Sequence, residues 1–243
     1  RRPPRSTLSP SSAASDVYKR QEIRFVDSLI GEVVEALEEL DISDKTVVII
    51  TSDHGEQLGQ HGLYDHRGLH ESVVYIPLVI WAPAMLPTGK IVEGYVQQAD
   101  IAPTILSILG AGEKDLPTFD GVDLLPIIDG EKPPRDEIYI ENHEQRAVVE
   151  GEWKYIRNYF ERTEELYNLE DDPMEVVNLA AEERSRVKAM REKLFRWVDE
   201  NLKGRLDPMW VQMARWAAKW AATFKYDFPD LRPRPTIIRE AKQ

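Results

Sequence analysis

Apolar residues Ile23, Val26, Ile30, Val33, Val34 and Leu37 recur mostly at spacings of three and four. That period predicts an amphipathic helix from Glu22 to about Leu40–Asp41. The run Lys45-Thr46-Val47-Val48-Ile49-Ile50-Thr51 breaks the period. It is β-branched and too continuous for a half-exposed strand, so it suits the buried centre of a parallel sheet covered on both faces. Pro77-Leu78-Val79-Ile80-Trp81 predicts a second strand, opened by its proline. Asp100 is placed to cap a helix carrying Ile101, Ile105, Ile108 and Leu109, which stops at Gly110. The alternation implies an α/β fold.

After Pro133-Pro134 the pattern changes. Residues 137–142, 146–150 and 153–159 are short β-prone segments, with Gly151-Glu152 as a hairpin turn between the last two. A helix follows, with Val187, Met190, Leu194, Trp197, Val198 and Leu202 on one face and Gly204 as its stop. These features predict a small antiparallel sheet packed with one helix over 133–206. Residues 207–243 form a Trp-rich tail with a Pro-rich, basic end. Trp210, Trp216 and Trp220 read as packing on the body or on a partner chain, through which the chain could form an oligomer, rather than as a sugar platform.

Residues 1–21 have neither period. They read as a disordered arm or, in Ser11–Gln21, as a translated sequencing adaptor, and they lack the apolar core of a secretory signal. Residues 22–132 then form the main α/β portion. The net charge of −12 argues against nucleic acid and against an anionic membrane face. The sequence has no apolar run long enough to span a bilayer and no cysteine.

The chemistry concentrates after the most hydrophobic strand, in Thr51-Ser52-Asp53-His54-Gly55-Glu56-Gln57-Leu58-Gly59-Gln60-His61-Gly62-Leu63-Tyr64-Asp65-His66-Arg67. Four of the five histidines, His54, His61, His66 and His70, fall here. A carboxylate beside an imidazole at a strand end can offer oxygen and nitrogen to one divalent cation, and the glycines let the chain turn tightly.

The order Thr-Ser-Asp-His-Gly-Glu, Leu-Gly-x-His-Gly-Leu, Glu71-Ser72 and Pro77-Leu78-Val79-Ile80 resembles the second metal-binding segment of the sulfatases, in the alkaline-phosphatase-like superfamily. Ala99-Asp100-Ile101-Ala102-Pro103-Thr104-Ile105-Leu106, Trp153-Lys154-Tyr155-Ile156 and Glu165–Pro173 continue the resemblance to about Trp197. It implies part of an alkaline-phosphatase-like sandwich with a mostly parallel central sheet, the chain being roughly the C-terminal half of the enzyme. It also implies that Asp53 and His54 ligate a divalent cation, usually calcium, with magnesium or manganese as alternatives given the imidazole. His66 stands where many members carry a lysine on the sulfate or leaving group, so it is the candidate catalytic acid. Arg67 and His143 are candidate substrate contacts.

The family's nucleophile is a formylglycine made from the Cys or Ser of a Cys/Ser-x-Pro-x-Arg motif. Neither that motif nor the family's first aspartate pair has a counterpart here. The resemblance therefore implies that both belong to an upstream segment, and that this polypeptide alone is inactive. The implied substrate is a sulfate ester, with a sulfated carbohydrate among the options. Two other readings stay open: a phosphodiesterase or phosphonate hydrolase of the same superfamily, and a non-catalytic binding homologue. Family members are commonly periplasmic, secreted or lysosomal.

Overall fold

The computed structural model describes residues 10–111, 118–132 and 135–224. Pro133-Pro134, the first nine residues and the Pro-rich basic end lie outside them. The chain forms two compact units that divide between Arg135 and Asp136.

In the first unit, helix α1 runs from Pro10 to Glu39, beginning well before the predicted Glu22. It ends as the pattern predicts. Asp41 adopts φ 56°, its N–H donates to Glu38 O at 3.0 Å, and the Ile42 N–H donates to Leu37 O at 3.1 Å. These two bonds satisfy carbonyls that the last turn leaves without intrahelical donors. The apolar stripe is present but largely uncovered: Ile30, Val34 and Leu37 are half-buried, whereas Ile23, Val26 and Val33 are more than half exposed.

Strand β1 (Val48–Thr51) pairs with β4 (Leu78–Trp81), with Val48 opposite Trp81 and Thr51 opposite Leu78. Between them come β2 (Gln57–Leu58), β3 (Tyr64–Asp65) and the single-turn helix α2 (Glu71–Val74). The β1–β4 pair is antiparallel, as is every other strand pair among the described residues. This corrects the expectation of a mostly parallel central sheet for these residues. Nor is β1 buried on both faces as expected, since Val48–Ile50 are half-buried and Thr51 is exposed; a continuous apolar run suits such cover but carries no information on the direction of its neighbour.

Helix α3 (Ile101–Ile108) stops at Gly110, φ 74°, as predicted. Asp100 does not cap it, because the carboxylate points back into the preceding 3-10 turn, Gln98–Asp100. One oxygen accepts the Gln97 N–H at 2.7 Å and the other the Val122 N–H at 2.9 Å. Arg135 forks onto both oxygens at 2.7 and 2.8 Å. A fully buried carboxylate needs such a partner, and the bidentate guanidinium supplies it. Helix α4 (Leu125–Ile128) lies between this turn and Arg135 in the chain.

The second unit is an antiparallel meander of β5 (Glu137–Glu141), β6 (Gln145–Glu150), β7 (Trp153–Asn158) and β8 (Glu164–Asn168), in that order. Gly151, φ 53°, turns β6 into β7. Helix α5 (Arg184–Leu202) lays Val187, Met190 and Leu194 on Val148, Tyr155 and Leu166, and Tyr139 stacks on Trp197 at 4.8 Å. This is the predicted antiparallel sheet with one packing helix, extended by a fourth strand, β8, that the pattern did not predict. The chain continues into α6 (Pro208–Phe224), whose Met209 and Met213 are buried. Arg146 of β6 anchors the start of α6 through two 2.7 Å bonds to Asp207. No described helix is long and apolar enough to cross a membrane.

Candidate functional site

The turn after β1 holds its own backbone in place. Gln98 Nε2 donates to Ser52 O at 2.8 Å and to Asp53 O at 2.9 Å. Ser52 Oγ donates to His54 O at 2.7 Å, and His54 Nδ1 lies 2.7 Å from Gly55 O. Four consecutive carbonyls, 52 to 55, are thus each met by a side chain. The Gly55 N–H donates to Val73 O at 2.7 Å. A side chain at Gly55 has no room, since a Cβ there would lie 2.2 Å from Ser72 O. Glycine is required by close approach to α2.

These contacts set the chemistry of Asp53 and His54. With Nδ1 facing a carbonyl, the ring must carry its proton there, which leaves a lone pair on Nε2. Nε2 lies 3.6 Å from Asp53 Oδ2. The other carboxylate oxygen, Oδ1, accepts the His54 N–H at 2.9 Å. That bond, above all, holds the Asp53 carboxyl below its usual range, so it is ionised at neutral pH. One oxygen and one nitrogen therefore face the same exposed point. Tethering the second ring nitrogen to a backbone carbonyl is also how metal-binding imidazoles are commonly oriented. The donor types fit a divalent cation, but only as a share of its shell. Among the described residues, no group of three or more His, Cys, Asp or Glu is arranged to hold one.

His66 arrives by way of a hairpin. Gln57 pairs with Asp65 and Leu58 with Tyr64, and the tip turns through Gly59 (φ 105°), His61 (φ 55°) and Gly62 (φ 69°). The chain folds back on itself, so residues just outside the last pair meet. The His54 and His66 rings stack with centroids 4.3 Å apart. Asp65, also at positive φ, accepts the His66 N–H at 2.8 Å and pairs with His66 Nδ1. That leaves Nε2 as the ring nitrogen able to pass a proton to a leaving group. Arg67 follows, exposed, with its carbonyl held by Nε2 of the fully buried Gln57 at 2.9 Å.

Asp53, His54, His66 and Arg67 thus lie around one turn and one hairpin. His143 belongs to the second unit, on the β5–β6 turn, where Asn142 Oδ1 accepts the Glu144 and Gln145 N–H groups at 2.9 and 2.7 Å. Its ring is 4.7 Å from Trp216, and Trp210 meets Tyr159 edge-on at 5.9 Å. Both tryptophans therefore have aromatic neighbours within their own unit. The side chain of Trp220 lies outside the description.

Sequence reasoning missed Gln98 and Gln57. Neither is ionisable or a usual ligand: Gln98 acts on two backbone carbonyls, and Gln57 on the Arg67 carbonyl and, at 3.4 Å, on His70 Nδ1. Sequence reasoning gave roles to His54 and His66 and none to His61 and His70. His61 and His70 form a second stacked pair, at 3.8 Å, with His70 buried.

Comparison with known proteins bears on the same segment. The sulfatase family model matches residues 17–111. The choline-sulfatase of Rhizobium meliloti (strain 1021) is 30% identical over 173 residues, covering 68% of this chain and 33% of that protein. Among solved structures, BT4656 in complex with its substrate D-glucosamine-2-N,6-O-disulfate aligns with a TM-score of 0.63 and 26% identity, covering 74% of this chain and 39% of that one. The phosphonate monoester hydrolase of Agrobacterium radiobacter aligns with a TM-score of 0.59 and 28% identity, covering 70% and 38%. The chain spans about a third of the length of the curated relatives it matches. On this motif order, fold and similarity, residues 17–111 match the sulfatase family, and the chain resembles that family's members in the alkaline-phosphatase-like superfamily.

Proposed function

We propose that the protein to which these residues belong hydrolyses sulfate esters, with Asp53 and His54 as two of the ligands of a divalent cation and His66 as the leaving-group acid. The observation that carries this reading is the stacking of His54 on His66 at the end of β1, inside the segment that matches the sulfatase family. A bound cation, calcium by family resemblance, supplies Lewis-acid charge to an anionic ester. Asp53 contributes the negative oxygen that holds it, and His54 a neutral nitrogen. Imidazolium His66 gives its Nε2 proton to the ester oxygen as that oxygen leaves, and Asp65, paired with Nδ1, supports the positive charge and keeps Nε2 turned outward. Arg67 offers a guanidinium to the sulfate oxygens. A sulfated carbohydrate is the substrate class we favour, because the similar BT4656 was solved with a disulfated glucosamine.

The nucleophile, a formylglycine in the family, belongs to a segment other than these residues. The same holds for the parallel strands of the central sheet, which would line the open edge of β1. The exposed apolar side chains of α1, together with Val79 on β4, suit such cover.

In the complete enzyme, Asp53→Ala combined with His54→Ala should abolish both cation content and turnover of a sulfated sugar. Retention of both overturns the reading. The phosphonate hydrolase similarity favours one alternative: faster hydrolysis of a phenylphosphonate ester than of the matching aryl sulfate would select it.

A further inference from the structure

The turn bearing Asp53 and His54 is short of anchors from its own strand, since β1 ends at Thr51. Its longest-range hydrogen bonds come from one side chain more than forty residues away, Gln98. We propose that Gln98 is a positioning residue for the Asp53–His54 pair, a role that rests on reading that pair as cation ligands. A primary amide carries two N–H donors on one nitrogen, and here both are used, on the successive carbonyls of Ser52 and Asp53. Fixing two successive carbonyls fixes the two peptide planes that meet at the Asp53 Cα. The direction in which the Asp53 side chain leaves the backbone follows from those two planes.

Gln98 can do this because its own backbone is rigidly mounted. It opens the 3-10 turn Gln98–Asp100, whose last residue is the buried carboxylate gripped by Arg135 and by the N–H groups of Gln97 and Val122. Across from it, Gly121 lets the chain pass close by, since a Cβ there would lie 2.0 Å from Ala99 O. The buried Asp100–Arg135 pair therefore sets the turn, the turn sets Gln98, and Gln98 sets the ligand pair. Because Gln98 is itself exposed, the clamp can be removed without opening a cavity.

The test uses the complete enzyme with Gln98→Met, which keeps length without donors, and Gln98→Glu, which turns two donors into acceptors facing two carbonyls. Three quantities are read: amide exchange at His54 and Gly55, the urea midpoint, and Mn2+ affinity from paramagnetic broadening of the His54 ring signals. Losing two neutral hydrogen bonds predicts exchange about tenfold faster in Gln98→Met and faster still in Gln98→Glu, with the urea midpoint falling by less than about 1 M. Mn2+ should bind the variants about tenfold more weakly. Unchanged exchange overturns the clamp. Faster exchange with wild-type Mn2+ affinity overturns the positioning role, leaving a structural bond only. If the wild-type enzyme itself shows no Mn2+ broadening at His54, the cation reading of the turn fails first, and the positioning role with it.

Discussion

Gly55→Ala is the substitution whose cost can be worked most directly from the geometry. The new Cβ would sit 2.2 Å from Ser72 O, with Ser72 C at 3.1 Å and Val73 Cα at 3.2 Å. All three are backbone atoms, so no flexible side chain can move aside. Ordinary contact requires the turn and α2 to separate by about 1 Å, which stretches the 2.7 Å bond from the Gly55 N–H to Val73 O. Overpacking of this kind costs about 1–3 kcal/mol, and the lost hydrogen bond about 0.5–1.5 kcal/mol, so roughly 2–4 kcal/mol together. Trp81, the one tryptophan of the first unit, reports its unfolding. With a urea m-value of about 2 kcal/mol/M, the midpoint should fall by about 1–2 M. Gly31→Ala is the control: it lies inside α1 with nothing within 4 Å of its added Cβ, so the same change should stabilise by about 0.5–1 kcal/mol. Equal shifts at the two positions would refute the claim that contact with α2, rather than glycine's entropy, sets the cost.

Two predictions concern the second unit. Lys154 and Glu175 form an ion pair at 2.9 Å with both side chains buried. Lys154→Met should cost about 3–5 kcal/mol by stranding the carboxylate, and Lys154→Met with Glu175→Leu should recover most of it, read by urea unfolding; equal losses in both would argue against the pair. Burial, and then the hydrogen bond to Glu164, push the Tyr155 phenol up to about 12. Its contribution is complete below pH 10, where the folded and unfolded phenols both keep the proton. It is lost as pH rises from 10 to 12, because the unfolded phenol ionises first. Absorbance titration at 295 nm should show a late-ionising tyrosine that Tyr155→Phe removes, along with the part of the alkaline stability loss that it causes.

Periodic features were legible from residues alone. The end of α1, the stop at Gly110, the hairpin at Gly151 and the α5 face follow from apolar spacing and glycine placement, because local rules decide them. The site was legible in its members, since the clustering of imidazoles beside a carboxylate at a strand end is visible in the chain. Its geometry was not. Asp100 looked like a helix cap because Asp before an apolar run usually is one; Arg135, thirty-five residues on, claims both its oxygens instead. The antiparallel partner of β1 and the Gln98 amide are likewise long-range facts, and no spacing within a short window encodes them. The stacking of His54 on His66 rather than on His61 depends on the register of a two-pair hairpin, which composition does not fix.

That hairpin carries a consequence for how such a protein can vary. Extra residues at its tip, between Gln60 and Gly62, fall beyond the last strand pair and leave both imidazoles where they are. One extra residue between His54 and Gln57, or between Asp65 and His66, inverts which side of the ribbon one ring occupies. Length changes are therefore tolerated at one end of this ribbon and ruinous at the other.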